Sequence, residues 1–308
     1  MRRSFLAMSL LCLASACATA PRAVPEPRPE ASAAPASEAF RQQPPEPGEP
    51  PELVLPRFER ATLDNGLTVL VSTRQELPLV YTGVAFAAGS AQDPKGKGGL
   101  AEMTYEMLLE GAAGRDTLAL DRAFQDLGVS PSASVHPDGA SIGVRVLRRN
   151  VDEALALLSD VVRRPDFRRE DFERRKELQL SELVRQSGNP GFLARQAYLK
   201  AVFGEEHPYG HPVSGALETV GSVTLPDVKR FYQENVGPKA AALVMAGDIT
   251  LEEAVELARR SFGDWEGEAT LPPVPPEPPA LPREQVLFVP RPGLEQTVVV
   301  VGRPGVAV

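Results

Sequence analysis

The chain has 308 residues, of which 43% are hydrophobic, enough apolar material for a core in one or two domains. Its formal net charge of −8 argues against non-specific nucleic-acid binding, because such binding needs a cationic surface. The two cysteines are Cys12 and Cys17, so the sequence after Cys17 contains neither a disulfide nor a cysteine metal site.

The first residues have the pattern of a lipoprotein-type export signal. Two arginines precede an apolar run from Phe5 to Leu13, which is too short to span a bilayer, and small residues lead to Cys17. We expect residues 1–16 to be a signal peptide and Cys17 to carry a lipid, with simple cleavage near Ala16 as the alternative. The paired arginines also fit a twin-arginine export signal.

Two proline-rich stretches divide the rest of the chain. Residues 17–56 are dominated by Pro, Ala and Glu, with too few large apolar side chains to offset the entropy of ordering, which predicts a disordered or polyproline-like tether. Residues 267–282 form a second proline-rich linker. The folded region is therefore predicted at 57–266, followed after the linker by a short segment at 283–308.

Strand and helix patterns alternate through the folded region. Asp64-Asn65-Gly66 predicts a hairpin turn between two apolar strands. The other predicted elements are a strand at 80–88, helices at 98–111 and 117–127 (capped by Thr117), a hairpin at 132–147 turning at Pro137-Asp138-Gly139, helices at 150–164, 166–186, 192–203 and 227–235, a strand at 240–246, and a helix from Thr250 to 262. This order predicts an α+β fold with helices on one face of a largely antiparallel sheet.

The helix at 98–111 has the frame of a metal motif but lacks its ligands. The inverted zinc motif His-x-x-Glu-His places two histidines one helical turn apart, and the intervening Glu polarises a metal-bound water. In the sequence GGLAEMTYEMLLEG the corresponding positions are Glu102, Tyr105 and Glu106. Neither imidazole is present, and a phenol replaces the carboxylate of the base.

The residues around this motif closely resemble the pitrilysin/insulinase (M16) peptidase family, whose active members read roughly GLAHFLEHMLFKG here. Further family landmarks follow in order, namely ATLDNGLTV at 61–69, AAGS at 87–90 with Asp93-Pro94, SEL at 181–183, HPYGHP at 207–212 and VMAGDI at 244–249. The resemblance covers nearly everything from about Arg57 to the C-terminus. It implies an M16-type α+β domain, and two homologous halves that close around an unfolded peptide.

Carried over by position, the departures from the family fall on the chemistry. Glu102 and Glu106 replace the two histidines, Tyr105 replaces the base, and only Glu182 keeps the type of a metal ligand. Arg175 stands where active members commonly have another acidic residue. The resemblance therefore implies no catalytic residues and no cofactor, although active relatives use Zn²⁺. Such a chain is similar to the non-catalytic subunits that pair with an active zinc subunit.

The expected partners follow from this resemblance and from the export signal. They are an active M16 zinc peptidase subunit, unfolded peptides, and a membrane contacted through the lipid anchor alone. We expect no nucleic-acid partner. We expect the protein to be exported to the periplasm and anchored to the cell envelope.

Glu102, Glu106 and Glu110 stand at successive i, i+4 positions and form one acidic stripe. It could be a solvated helix face, or it could line a cleft that holds a cationic peptide. As a third alternative, Glu102, Glu106 and Glu182 could bind Ca²⁺, Mg²⁺ or Mn²⁺ through oxygen. The chain would then be an active metalloendopeptidase with an atypical carboxylate site, although Tyr105 is a poor base near neutral pH.

The remaining polar motifs are interpreted as structural. His207 and His211 are four residues apart, but the proline and glycine between them prevent a regular helix and predict a turn. His136 is expected at a hairpin tip. The GKGG sequence at 96–99 lacks the spacing of a phosphate loop and is interpreted as the lead into the helix.

The last residues resemble the first strands of a second M16 half, at 285–290 and 296–302. The sequence then ends, which suggests a truncated reading frame. Strands without partners are expected to fray, to pair with an edge of the first domain, or to promote aggregation.

Overall fold

The computed structural model of the chain describes residue 48 and residues 55–280, 285–293, 296–303 and 305. The predicted signal peptide, Cys17 and nearly all of the predicted tether lie outside these residues. The strands are β1 (Glu59–Thr62), β2 (Thr68–Thr73), β3 (Leu79–Phe86), β4 (Gly111–Ala112), β5 (Arg115–Asp116), β6 (Ser132–His136), β7 (Gly139–Leu147) and β8 (Ala241–Gly247).

The helices are α1 (Leu100–Met107), α2 (Thr117–Asp126), α3 (Val151–Arg163), α4 (Arg169–Gln186), α5 (Pro190–Phe203), α6 (Leu217–Ser222), α7 (Leu225–Asn235) and α8 (Leu251–Phe262). Short 3₁₀ turns continue or precede several of them. Among the described residues, no helix has the length and apolar composition needed to cross a bilayer.

Six strands form the main sheet, in the order β1-β2-β8-β3-β7-β6. The pair β2–β8 is parallel, and the other four neighbouring pairs are antiparallel. Val80, Thr82, Val84 and Phe86 of β3 are buried, whereas Tyr81 and Ala85, which point to the other face, are only partly buried. Helices α3 and α8 pack on the buried face. The predicted α+β fold, with helices on one face of a largely antiparallel sheet, is confirmed.

Most of the predicted elements are present within two or three residues, and two details are corrected. Helix α2 is capped by Asp116, whose carboxylate accepts a hydrogen bond from the Ala119 amide at 2.8 Å, and not by Thr117, which already lies in the helix. Helix α4 begins at Arg169 instead of residue 166, because Phe167 has a φ of +46° that interrupts a helix. Helix α6 was not predicted, since six residues carry too little periodicity.

The predicted strands at 285–290 and 296–302 do not form in the described part of the C-terminal segment. Its residues have irregular backbone and do not join the sheet, and apolar side chains such as Val286 and Phe288 are exposed. A strand needs a neighbour to satisfy its backbone groups, and no strand of the described residues lies alongside this segment.

The N-terminus of α1 is held in place by two carboxylates. Asp93 accepts hydrogen bonds from the amides of Gly99 at 2.8 Å and Ala101 at 2.7 Å. Gly99 has a φ of +93°, and a Cβ there would lie 2.8 Å from the carbonyl oxygen of Ser214, so this position requires glycine. The ammonium of Lys97 lies 3.0 Å from the carboxylate of Asp227 on α7.

We predict that Asp227→Asn destabilises the fold by about 1–2 kcal/mol at neutral pH. Burial alone would raise the pKa of Asp227, but hydrogen bonds from Thr224 and the charge of Lys97 lower it to about 2. A carboxyl whose pKa is lowered on folding contributes stability above its unfolded value, and that stability is lost as the pH falls through the folded value. The difference from the wild type should therefore narrow between about pH 4 and pH 2.

Urea unfolding at a series of pH values measures this difference. Glu234→Gln, an exposed change on the same helix, is the control and should leave stability unchanged at each pH. A penalty for Asp227→Asn that stays constant down to the acid limit would contradict the assignment.

Candidate functional site

Tyr105, at the position of the family's catalytic base, is a core residue. Its side chain is fully buried, and its hydroxyl donates a hydrogen bond to the carbonyl oxygen of Ala88 at 2.8 Å. Its ring lies 5.1 Å from that of Phe86 and meets Phe231 edge-on at 6.2 Å. Burial raises the pKa of Tyr105 far above its ordinary value. This phenol stays protonated and cannot act as a base near neutral pH.

Glu106, at the position of the second histidine, is paired with a cation from α4. The Nη2 atom of Arg175 lies 3.0 Å from Oε2 of Glu106, and the two side chains are 26% and 32% exposed. Burial raises the pKa of Glu106, and the charge of Arg175 opposes that rise. One oxygen of Glu106 is thus already held by a guanidinium.

Glu110 extends this pairing by one helical turn. Its side chain is buried, and its Oε2 atom lies 2.5 Å from Nη2 of Arg174, which also contacts Asp171 at 2.9 Å. Nε of Arg175 lies 3.4 Å from the other carboxylate oxygen of Glu110. The interpretation of the acidic stripe as a solvated face is therefore wrong for Glu110, because its charge is buried against two arginines.

Glu102, at the position of the first histidine, is partly buried and makes a different set of contacts. The amide of Gln179 lies 3.3 Å from its Oε2 atom and 3.1 Å from the carbonyl oxygen of Ser214. Burial raises the pKa of Glu102, the charges of Glu106 and Glu182 raise it further, and the charge of Arg175 opposes the rise. Within the described part of the chain, Glu102 forms no ion pair shorter than 4 Å.

Glu182, the retained ligand type, lies on α4 and binds side chains of its own helix. Its carboxylate accepts hydrogen bonds from Nε of Arg185 at 2.8 Å and from the amide of Gln186 at 2.7 Å. These two bonds lower the pKa of Glu182. The structure therefore brings Glu182 close enough to Glu102 for their charges to interact, but it does not turn both carboxylates onto one point.

The residues at the motif positions do not fit a zinc ion. Zinc in proteins takes histidine, cysteine or carboxylate ligands in a tetrahedral arrangement. Here the carboxylate of Glu106 is bound to a guanidinium, that of Glu182 is bound within its helix, and Tyr105 lies in the core. In residues 55–280 and the described segments beyond them, no three His, Cys, Asp or Glu side chains are grouped to hold a metal.

The histidines lie where the sequence predicted turns. His207 is buried, its Nδ1 accepts a hydrogen bond from the Tyr209 amide at 3.0 Å, and its Nε2 donates to the carbonyl oxygen of Pro276 at 2.8 Å. His211 lies in the same irregular segment, and His136 is the last residue of β6, next to the hairpin turn. The contact of His207 with the proline-rich linker has no signal in the sequence.

Sequence reasoning missed Gln179 as a site residue. It lies four residues after Arg175 and three before Glu182, so helical spacing places all three on one side of α4. This spacing is the sequence signal by which Gln179 could be identified as a residue that faces the site. The pairing of Glu110 with Arg174 could not be predicted, because it depends on how α1 and α4 meet.

Two family models match the chain. The model named "Insulinase (Peptidase family M16)" matches residues 68–216, and the model named "Peptidase M16 inactive domain" matches residues 222–308. The chain belongs to the M16 peptidase family. The resemblance predicted from the motifs is confirmed.

Individual relatives agree with this assignment. An uncharacterized zinc protease of Rickettsia bellii is 25% identical over 205 residues, which are 67% of this chain and 50% of the relative. The crystal structure of a peptidase M16 inactive domain from Pseudomonas fluorescens is 29% identical, with a TM-score of 0.68, covering 73% of this chain and 55% of that one. The periplasmic protease PqqL from Escherichia coli is 19% identical, with a TM-score of 0.65, covering 72% and 26%.

The chain spans about half the length of the curated relatives it matches. The relatives named as zinc proteases support Zn²⁺ as the metal of active members. This chain is thus an M16 peptidase-family homologue, with solved relatives that include an inactive domain.

We predict that Tyr105→Phe lowers the free energy of unfolding by about 1 kcal/mol, because it removes a buried hydrogen bond to the Ala88 carbonyl. Tyr105→Glu, which restores the residue type of active members, should cost about 3 kcal/mol or more, because it buries a carboxylate among aromatic rings. Urea unfolding measures both. A Tyr105→Glu variant as stable as the wild type would contradict the placement of this residue in the core.

Proposed function

We propose that this chain is a non-catalytic M16 protein that holds unfolded peptides for an active M16 zinc peptidase. The proposal rests mainly on the burial of Tyr105 and on the ion pair of Glu106 with Arg175. The position of the base is a protonated core tyrosine, and the position of the second histidine is a carboxylate paired with Arg175. Water activation would need both a metal and a base, and these residues supply neither.

Strand β6 supports the peptide-holding part of the proposal. It lies at one end of the sheet, and no strand of the described residues pairs with its outer side. The two-residue turn closes on the pair His136–Gly139, so hydrogen-bonded and non-bonded pairs alternate from there. The backbone groups of Ala133 and Val135 consequently point away from β7. An extended peptide could add to this edge as a further strand.

The position of the edge fits the same role. Helix α1, which carries Glu102 and Glu106 of the acidic stripe, packs against β6. A peptide on the edge would therefore lie beside a helix whose Glu102 forms no ion pair within 4 Å among the described residues. Basic, extended peptides are the substrate class that this combination favours.

Export and lipid anchoring are also part of the proposal. They are supported by the apolar run from Phe5 to Leu13 and by Cys17. PqqL, which shares the fold, is named as a periplasmic protease. An exported, anchored chain would hold peptides at the cell envelope, where an active zinc peptidase subunit would cleave them.

Metal content and peptide hydrolysis by the purified chain test the absence of catalysis. We expect the purified chain to contain well below one zinc ion per molecule. We also expect it to show no chelator-sensitive hydrolysis of unfolded peptides. Stoichiometric zinc together with chelator-sensitive cleavage would contradict the proposal. That result would establish the rival function, an active metalloendopeptidase that uses a carboxylate site.

Peptide binding tests the positive part. Ala133→Pro removes an outward N–H without removing a hydrogen bond to β7, so it should weaken binding of a labelled basic peptide by about tenfold, the loss of one to two backbone hydrogen bonds. Ala133→Val keeps the N–H and should bind as the wild type does. Fluorescence anisotropy measures both. Equal affinity for the proline variant and the wild type would exclude this edge as the binding site.

A further inference from the structure

Helices α1 and α4 meet through charges that would repel each other without a cation. Glu106 lies on α1 and Glu110 lies four residues later, at the end of the 3₁₀ turn that continues the helix, and neither side chain is fully solvated. Like charges at this spacing destabilise a helix, and partial burial strengthens their repulsion. The fold of this helix pair therefore depends on a positive charge placed between them.

Arg175 occupies that place. Its Nη2 atom lies 3.0 Å from Glu106 and its Nε atom lies 3.4 Å from Glu110, so one guanidinium reaches both carboxylates. The Nε atom is buried and makes no hydrogen bond, which means that its contact with Glu110 is one of charge. Arg174 differs, because it is 47% exposed and pairs with Glu110 and Asp171.

We propose that the guanidinium of Arg175 takes the place of a metal ion as the cation that holds α1 against α4. The motif positions do not fit zinc, yet Glu106 stands at one of them and needs a cation to offset its charge, as does Glu110 beside it. Because the Arg175 guanidinium is part of the chain, the contact between α1 and α4 does not depend on binding an ion from solution. Removing its charge should leave Glu106 without its cation, beside a Glu110 that keeps only Arg174, and these carboxylates should then bind a hard divalent cation through oxygen.

Thermal unfolding of Arg175→Gln, with chelator and with millimolar Mn²⁺, tests this proposal. In chelator the melting temperature should fall by about 3–6 °C relative to the wild type. Mn²⁺ should restore at least half of that loss, because a ligand that binds the folded state stabilises it. The wild type should melt at the same temperature in both conditions. The readout is stability, so the result does not depend on whether the chain holds peptides.

Two further variants complete the experiment. Arg185→Gln, on the same helix, breaks an exposed pair with Glu182 and should change the melting temperature by less than about 1 °C in either condition. Glu106→Gln combined with Arg175→Gln removes the repulsion together with its cation, so it should melt above Arg175→Gln in chelator. This double variant also decides the matter if Arg175→Gln alone does not fold.

Four results would overturn the proposal. One is that Arg175→Gln melts at the same temperature as the wild type in chelator. Another is that Mn²⁺ stabilises the wild type as much as the variant, and another is that Mn²⁺ does not stabilise the variant. The last is that the double variant melts no higher than Arg175→Gln.

Discussion

The contact between Arg175 and the carboxylates of Glu106 and Glu110 determines what the site can do. A carboxylate held by a guanidinium is a poor metal ligand, because the charge of Arg175 repels a second cation in a partly buried place. The charge that a metal would bring is already present as a side chain. The helix that carries the zinc motif in active relatives is therefore present here, but its acidic side chains are neutralised by an arginine.

Burial of Tyr105 removes the second requirement for catalysis, the base. Its ring packs with Phe86 and Phe231, and its hydroxyl donates a hydrogen bond to the carbonyl oxygen of Ala88, two residues after β3 ends. The residue that would have faced a metal-bound water instead ties the helix to the sheet. The substitutions in the motif thus place packing and ion-pair residues at positions that are catalytic in active relatives. No strand of the described residues pairs with the outer side of β6.

The sequence predicted the elements that have strong local signals. The turn at Asn65-Gly66, the hairpin at Pro137-Asp138 and the helix cap at Thr250 are each specified by a few neighbouring residues. The placement of β8 between β2 and β3 came from the fold as a whole and not from its own residues. The strands expected at 285–290 and 296–302 failed, because a strand pattern specifies a strand only where a partner is present.

The sequence predicted which residues occupy the site and that they lie on a helix, but it did not predict their contacts. Helical spacing placed Glu102, Tyr105 and Glu106 on α1 and showed that the imidazoles were missing. It could not show that Tyr105 points into the core or that Glu106 meets Arg175, because both depend on how α1 packs against β3 and α4. Long-range pairing of this kind has no counterpart in local sequence.

Anomalous diffraction at the zinc absorption edge, from crystals of the full chain grown with Zn²⁺, would show whether a guanidinium or a metal lies between α1 and α4. We predict no anomalous peak there, and density for the Arg175 guanidinium bridging Glu106 and Glu110. A tetrahedral zinc bound by Glu102, Glu106 and Glu182, with Arg175 displaced, would contradict it.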